Sequence, residues 1–466
     1  MVRYQPPQDW QQWVKWLAAG LHGRSRWRLS LILLGIVFAR GRRTVTSWLR
    51  AVGISDDFAD YYYFLQPLGR KSKALAERLF MLLLVHLPVG TGAASGNGTG
   101  AASGNGTGAA SGNGSRLLLA VDDTPTKRYG PCVQGAGIHH NPTPGPADQK
   151  FLYGHIWVTI SLVLRHPLWG TIGLPLLGLL YVRAKDIAKI PQKHGWLFRT
   201  KLQLAIAALR PLVQLAIAAG KTVWIVADGA YAKCPFLRPL RRMGVTVVSR
   251  LRKDAALWTL PPQPKQRRRG RPRKYGTKRI HLKRRAAHPL GWEQVECSVY
   301  GQLVTKTIKT FLATYRPAEG VIRVVIVKEA KSCEYFFCTD PDATPREIIE
   351  AFGDRAAIEQ DFHDVKEVWG AGQQQVRNIW TNVAAFNLNL WVHTLVECWA
   401  WHKSADEIRD RRDSPWDDPT RRPSHADRRK ALRRQTLHNE YSSLSPSHRR
   451  SSKIRFLYEC LLQLAM

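Results

Sequence analysis

Between Gly90 and Asn113 the eight-residue unit GTGAASGN occurs three times, and Gly114-Ser115 follows. A repeat this short, with no apolar residue larger than alanine, cannot bury a core, so it is not a solenoid. It reads as a flexible tether over residues 89–115, with an r.m.s. span of roughly 25–30 Å for about 25 Gly-rich residues. The tether divides the chain, and 466 residues are in any case too many for one ordinary core.

Lys plus Arg number 70 against 35 Asp plus Glu, a net charge of +35, while 44% of residues are hydrophobic. That combination excludes a disordered basic tail and points to a polyanion, commonly nucleic acid, as partner. Seven cysteines without a Cys-x-x-Cys pair argue against a disulfide framework and a zinc module, and fit free thiols in a reducing compartment. The N-terminus, MVRYQPPQDWQQW, lacks the apolar run of a signal peptide. Pro167–Val182 is uncharged but short for a membrane helix, which needs about 20 residues, and it carries Pro175 and glycines, so buried strand is the better reading. The expected location is cytoplasmic, in association with the nucleoid, with no membrane partner.

Residues 1–88 show helical spacing in WQQWVKWLAAGLHG and KALAERLFMLLLVHL, with two shorter candidates at 44–54 and 58–68 joined by Ser55-Asp56-Asp57. A DNA-reading helix-turn-helix looks like this, and so does a plain helical bundle. After the tether the pattern becomes α/β over residues 116–256: strands near 117–122, 155–164, 167–182, 222–227 and 245–251, with helices at 196–219 and 235–243. Three strands, a helix, then strand–helix–strand is the order of an RNase H-like domain. Residues 257–332 interrupt it with a basic loop and a β-rich insertion, 333–400 complete it, and 401–466 form a basic, partly helical C-terminal region. Thr344-Pro345-Arg346-Glu347 is a capping box with proline at the first helical position.

Two apolar strands end in acids, LLLAV-Asp122-Asp123 and TVWIVA-Asp228. Carboxylates brought together at neighbouring strand ends raise one another's pKa, and a divalent cation with all-oxygen ligands, Mg²⁺ or Mn²⁺, relieves that conflict. Singly, such an Asp is more often a turn former. Residues 355–369 carry an apolar stripe, Ile358, Phe362, Val365 and Trp369, with Glu359 at its edge. Alone, Arg355 and Glu359 read as an ordinary i, i+4 surface pair.

Phe352-x2-Arg355-x3-Glu359-x6-Lys366 resembles the Tyr-x2-Arg-x3-Glu-x6-Lys motif of bacterial insertion-sequence DDE transposases of the hairpin-forming, cut-and-paste type. Asp123-Thr124 resembles their first Asp and Asp228-Gly229 their second, over roughly residues 116–400. Phe352 departs from the motif's Tyr and loses a hydroxyl contact. The resemblance implies catalytic, metal-binding Asp123, Asp228 and Glu359, with Asp122 the alternative to Asp123, since adjacent strand residues point to opposite faces. It implies two Mg²⁺ ions about 3.5–4 Å apart, with Mn²⁺ as substitute, and DNA contacts by Phe352, Arg355 and Lys366. The expected partners are double-stranded DNA, as terminal inverted repeats and target, and a second copy of the chain as a homodimer. Arg269-Gly270-Arg271-Pro272 is an AT-hook core, which makes Arg269 and Arg271 further DNA-binding candidates; a solvated basic loop on phosphates is the simpler reading. A DNA-binding regulator of the same fold without catalysis is the rival function.

Overall fold

The computed structural model describes residues 4–89, 116–141, 149–262, 273–412 and 414–444. The tether and the AT-hook core with Arg269 and Arg271 therefore lie outside the described residues. Helices α1 (Gln8–Ala18), α2 (Trp27–Phe38), α3 (Val45–Ala51), α4 (Phe58–Arg70) and α5 (Ser72–His86) precede strands β1 (Arg116–Lys127), β2 (Gly137–His140), β3 (Phe151–His166) and β4 (Gly170–Tyr181). Next come α6 (Ala184–Ile187), α7 (Lys201–Ala218), β5 (Thr222–Ala227), α8 (Cys234–Arg242) and β6 (Thr246–Arg250). The following stretch holds β7 (Leu257–Trp258), β8 (Arg279–Ile280), α9 (Leu282–Ala287), β9 (Glu293–Val299), β10 (Gln302–Tyr315), β11 (Gly320–Lys328) and β12 (Cys333–Cys338). The chain then turns helical in α10 (Pro345–Asp354), α11 (Ala356–Glu367), α12 (Ile379–Ala400), α13 (Ala405–Ile408) and α14 (His425–Leu444).

The strands form one mixed sheet whose first part runs β4-β3-β1-β5-β6. β1 is antiparallel to β3 and parallel to β5, and β5 is parallel to β6. The fold is mixed α/β. Pro167–Val182, singled out for its apolar run, supplies β4. β12 pairs with both β11 and β6, Phe336 opposite Arg250, so the β-rich stretch expected as an insertion extends the same sheet from the open edge of β6. An edge strand offers unpaired backbone groups, and β12 takes them up.

Alternation sorts the side chains of β1 and β5 onto two faces. Leu117, Leu119 and Val121 join the core shared with α7, α12 and the N-terminal helices. Ala120, Trp224 and Val226 pack instead with Ile348, Ile358 and Phe362 of α10 and α11. Thr200 and Gln203 form the capping box that starts α7, and Thr344 with Glu347 starts α10 as the sequence indicates. α7 is the one helix among the described residues long and apolar enough to cross a membrane, but Leu204, Leu209, Leu212 and Val213 bury it in the protein's own core.

The N-terminal helices share that core. A side chain on Gly69 of α4 would meet the Trp380 carbonyl of α12, so the two helices touch backbone to backbone. The basic C-terminal region also turns inward. Arg429 and Arg433 of α14 are 5% and 4% exposed and donate to the carbonyls of Val37 and Ala39 at the C-terminus of α2. Those carbonyls have no partner within their own helix, and guanidinium groups satisfy them while opposing the helix dipole.

Candidate active site

The acids of β1 lie inside the strand. Its pairing with β5 stops at Val121–Ala227, while the pairing with β3 runs on past Asp122 and Asp123 to Lys127. Asp228 follows directly on β5 and accepts a long hydrogen bond from the Ala230 amide, 3.5 Å. Counting along both strands, Asp122 is level with Asp228, and both continue the rows that face α11.

One guanidinium joins that face. Arg355, between α10 and α11, reaches Asp122 Oδ2 with Nη1 at 2.6 Å and Glu359 Oε1 with Nη2 at 2.6 Å. The Arg355–Glu359 surface pair foreseen from spacing is therefore present, but its arginine also binds a strand acid. Burial raises the Asp122 carboxyl to about 6; Arg355 and the Asp123 amide oppose this, and the charges of Asp123 and Asp228 add to it. Burial without full compensation by Arg355 leaves this carboxyl raised, and a cation in the site would favour its charged form.

Asp123, the favoured match to the motif, points the other way. Its Oδ2 meets Lys201 Nζ at 2.5 Å, at the start of α7, and its Oδ1 accepts from the Tyr231 hydroxyl at 3.4 Å. Asp122 is thus level with Asp228 on the face of Glu359, while Asp123, the residue that the motif match favours, lies on the opposite face. Tyr231 is 2% exposed, and its phenol is pushed well up by burial, then by Asp123, Asp122 and Asp228. Its hydroxyl contacts Asp123 and feels the charges of Asp122 and Asp228 as well.

The other motif residues divide. The Phe352 ring lies against Phe336 at 4.7 Å, with the Arg250 and Arg355 guanidinium groups 5.8 and 5.4 Å from its centre. It is a shelf under two cations, a role that needs no hydroxyl. Lys366 is half-buried, burial lowers its pKa, and it makes no ion pair among the described residues. Lys201, Tyr231 and Arg250 escaped the sequence reading; the position of Tyr231 three residues after Asp228 was the available signal.

Among the described residues, the group with close metal-ligand spacing is elsewhere. His393, Glu397 and His425 are buried with ligand atoms within 4.8 Å of one another. The cluster is only partly hydrogen-bonded, and His393 Nδ1, Glu397 Oε2 and the Nε and Nη2 of Arg428 are buried without a partner. His425 Nδ1 donates to Glu397, His425 Nε2 accepts from Trp369 Nε1 at 2.8 Å, and Arg428 Nη1 donates to Glu397 at 3.0 Å. The two imidazoles stack at 3.8 Å and 16°, so their in-plane lone pairs run side by side and do not converge. Burial pushes Glu397 up, but Arg428 and His425 outweigh it and hold the carboxyl well below the usual range.

A family model described as DDE superfamily endonuclease matches residues 109–313. The match takes in Asp122, Asp123 and Asp228 and stops short of α11. It supports a DDE-type, transposase-like protein with nuclease-like function, a class that uses divalent metals. No curated protein matches the chain.

Proposed function

We propose that the chain is a DNA transposase that binds element ends and carries out Mg²⁺-dependent strand cleavage and strand transfer, in the cut-and-paste manner of the hairpin-forming enzymes. The observation that carries this reading is Arg355 bridging Asp122 of β1 to Glu359 of α11, with Asp228 level with Asp122 on the same face. The strand order β4-β3-β1-β5-β6, three antiparallel then two parallel, supports an RNase H-like catalytic core.

Asp122, Asp228 and Glu359 would hold Mg²⁺ or Mn²⁺. The donor set fits a hard cation, since all ligands are carboxylate oxygens and burial, the largest influence on Asp122, leaves its charged form in need of positive charge. The bound ion supplies charge neutralisation and an activated water. The protein's own part is positioning. Arg355 is the movable member: turned from Asp122 and Glu359 to a strand phosphate, it frees both carboxylates and binds the phosphate through its fork. Lys366 adds a point charge on the same helix, and the net charge of +35 favours DNA at long range.

The test is nicking of a supercoiled plasmid in Mg²⁺ by wild type, Asp122→Asn and Glu359→Gln, with gel shifts on the same samples. Cleavage lost with DNA binding kept is expected. Cleavage by Glu359→Gln at the wild-type rate would overturn the site.

A further inference from the structure

On the side of the sheet toward which Asp123 and Lys201 point, a cavity of about 310 Å³ opens between α4, α5, β4, α12 and the loop before α7. Its volume is near the lower end for ligand sites, about 300–1,000 Å³. Trp196 and Trp380 line it, their rings 5.0 Å apart, over an apolar floor that includes Leu179 and Leu180. The Trp380 indole N–H is buried and makes no hydrogen bond.

Cations surround this aromatic pocket. Arg70, Lys73 and Arg199 all line it, and none makes an ion pair among the described residues. Arg70 lies 4.8 Å over the Trp380 ring. Lys73 is lowered by burial and next by Arg199, so the cations repel one another across the opening. Glu77 offsets part of this repulsion at Lys73 without forming an ion pair, so the rim keeps an excess of positive charge. The loop also holds Leu197 and Phe198 in solvent, 73% and 46% exposed.

The register fixes how far the pocket is from the acids. Asp123 is opposite Val158, and Val158 is opposite Leu179. Two strand spacings are about 10 Å. Lys201 lies between, one end of its reach on Asp123 and its ammonium 5.8 Å from the Tyr181 ring at the end of β4.

We infer that this pocket receives one unpaired nucleotide of a bound DNA strand, its base against Trp196 and Trp380 and its flanking phosphates held by Arg199 and Lys73. The inference rests on DNA being the partner, as proposed above. Apolar aromatic walls with a rim of excess positive charge match a base and its phosphates, and neither half matches double helix, whose bases are stacked away.

The experiment measures binding of the full chain, in EDTA, to a blunt duplex and to the same duplex with a short single-stranded extension. Wild type should prefer the extended duplex by about tenfold, the low end of what base stacking on an aromatic ring contributes. Trp196→Ala and Arg199→Ala should lose most of that preference and keep blunt-duplex affinity within about twofold, while Trp196→Phe retains it. Arg199 is exposed, so its variant tests the pocket even if Trp196→Ala folds poorly. Equal weakening on both duplexes, or an unchanged preference, overturns the inference and leaves the DNA reading standing. Wild type that binds neither duplex sinks both. Free dAMP that raises the melting temperature of wild type but not of Trp196→Ala, with no preference for the extension, assigns the pocket to a free nucleotide and overturns it as well.

Discussion

Two carboxylate–arginine clusters lie on either side of α11, and they are opposites. On one side Glu397 is 2% exposed, paired with Arg428 and His425, and held well below the ordinary carboxylate range. On the other, Asp122 is pushed up to about 6, and its partner Glu359 has a side chain 57% exposed. By spacing alone the first looks like the metal centre. Geometry reverses that judgement, because the two imidazoles stack and their lone pairs do not converge on one point. A fully buried carboxylate already paired with Arg428 and His425 supports the fold, whereas solvent-open Glu359, joined to Asp122 through one arginine, is within reach of a ligand.

The largest effect should fall on the open cluster. Asp122→Asn, Asp228→Asn and Glu359→Gln should each reduce Mg²⁺-dependent cleavage by about 10³-fold or more, since members of one unit fail together. Melting temperatures should stay within a degree or two of wild type, because exposed acids, and an acid raised by burial, contribute little stability. A variant that loses its fold along with cleavage would place these acids in the same category as Glu397.

The buried cluster should respond in the other currency. Glu397→Gln leaves the Arg428 charge buried without its counter-ion and should cost about 3 kcal/mol of stability. Zn²⁺ or EDTA should leave the wild-type melting temperature unchanged; a clear rise with Zn²⁺ would make the network a metal site after all. The pH dependence has a definite sign. A carboxyl whose folded pKa is depressed below 4.5 stabilises fully above that value and loses its contribution as the pH falls through the folded pKa. The stability gap between wild type and Glu397→Gln should therefore be constant near neutrality and close in acid, below about pH 4.5.

Much of this arrangement was legible in the chain, and the gaps have physical causes. The strand order, the Thr344 cap and the α11 stripe follow from local pattern, because Ile358, Phe362 and Val365 obey helical spacing whatever they pack against. The choice between Asp122 and Asp123 does not. β1 is apolar on both faces, Leu117, Leu119 and Val121 on one and Leu118 and Ala120 on the other, as a buried strand must be. Parity alone therefore cannot say which face α11 covers, and the Asp-Thr match pointed to the face opposite α11. His393 and Glu397 are i, i+4 on one helix and visible as a pair. Their partners His425 and Arg428 sit in a charged stretch that reads as solvated. The union of β12 with β6 was likewise hidden, since strand pairing across about 80 residues leaves no local trace.

The smallest effect, and the finest test of the comparison, belongs to Asp123. It holds Lys201 at 2.5 Å and takes the Tyr231 hydroxyl at 3.4 Å, while its own amide donates to Asp122 Oδ1 at 2.8 Å. Asp123→Asn keeps that amide and the side chain's size, and removes only the charge that fixes the lysine. Cleavage should fall by roughly tenfold, about 1.4 kcal/mol of transition-state stabilisation, with most of the loss in KM if Lys201 binds phosphate. Lys201→Met should give a similar loss, and the double variant should lose little more, because both changes undo one contact. Losses that multiply would mean that the two residues act separately. A loss for Asp123→Asn as deep as for Asp122→Asn would return Asp123 to the metal-binding set that the sequence first suggested.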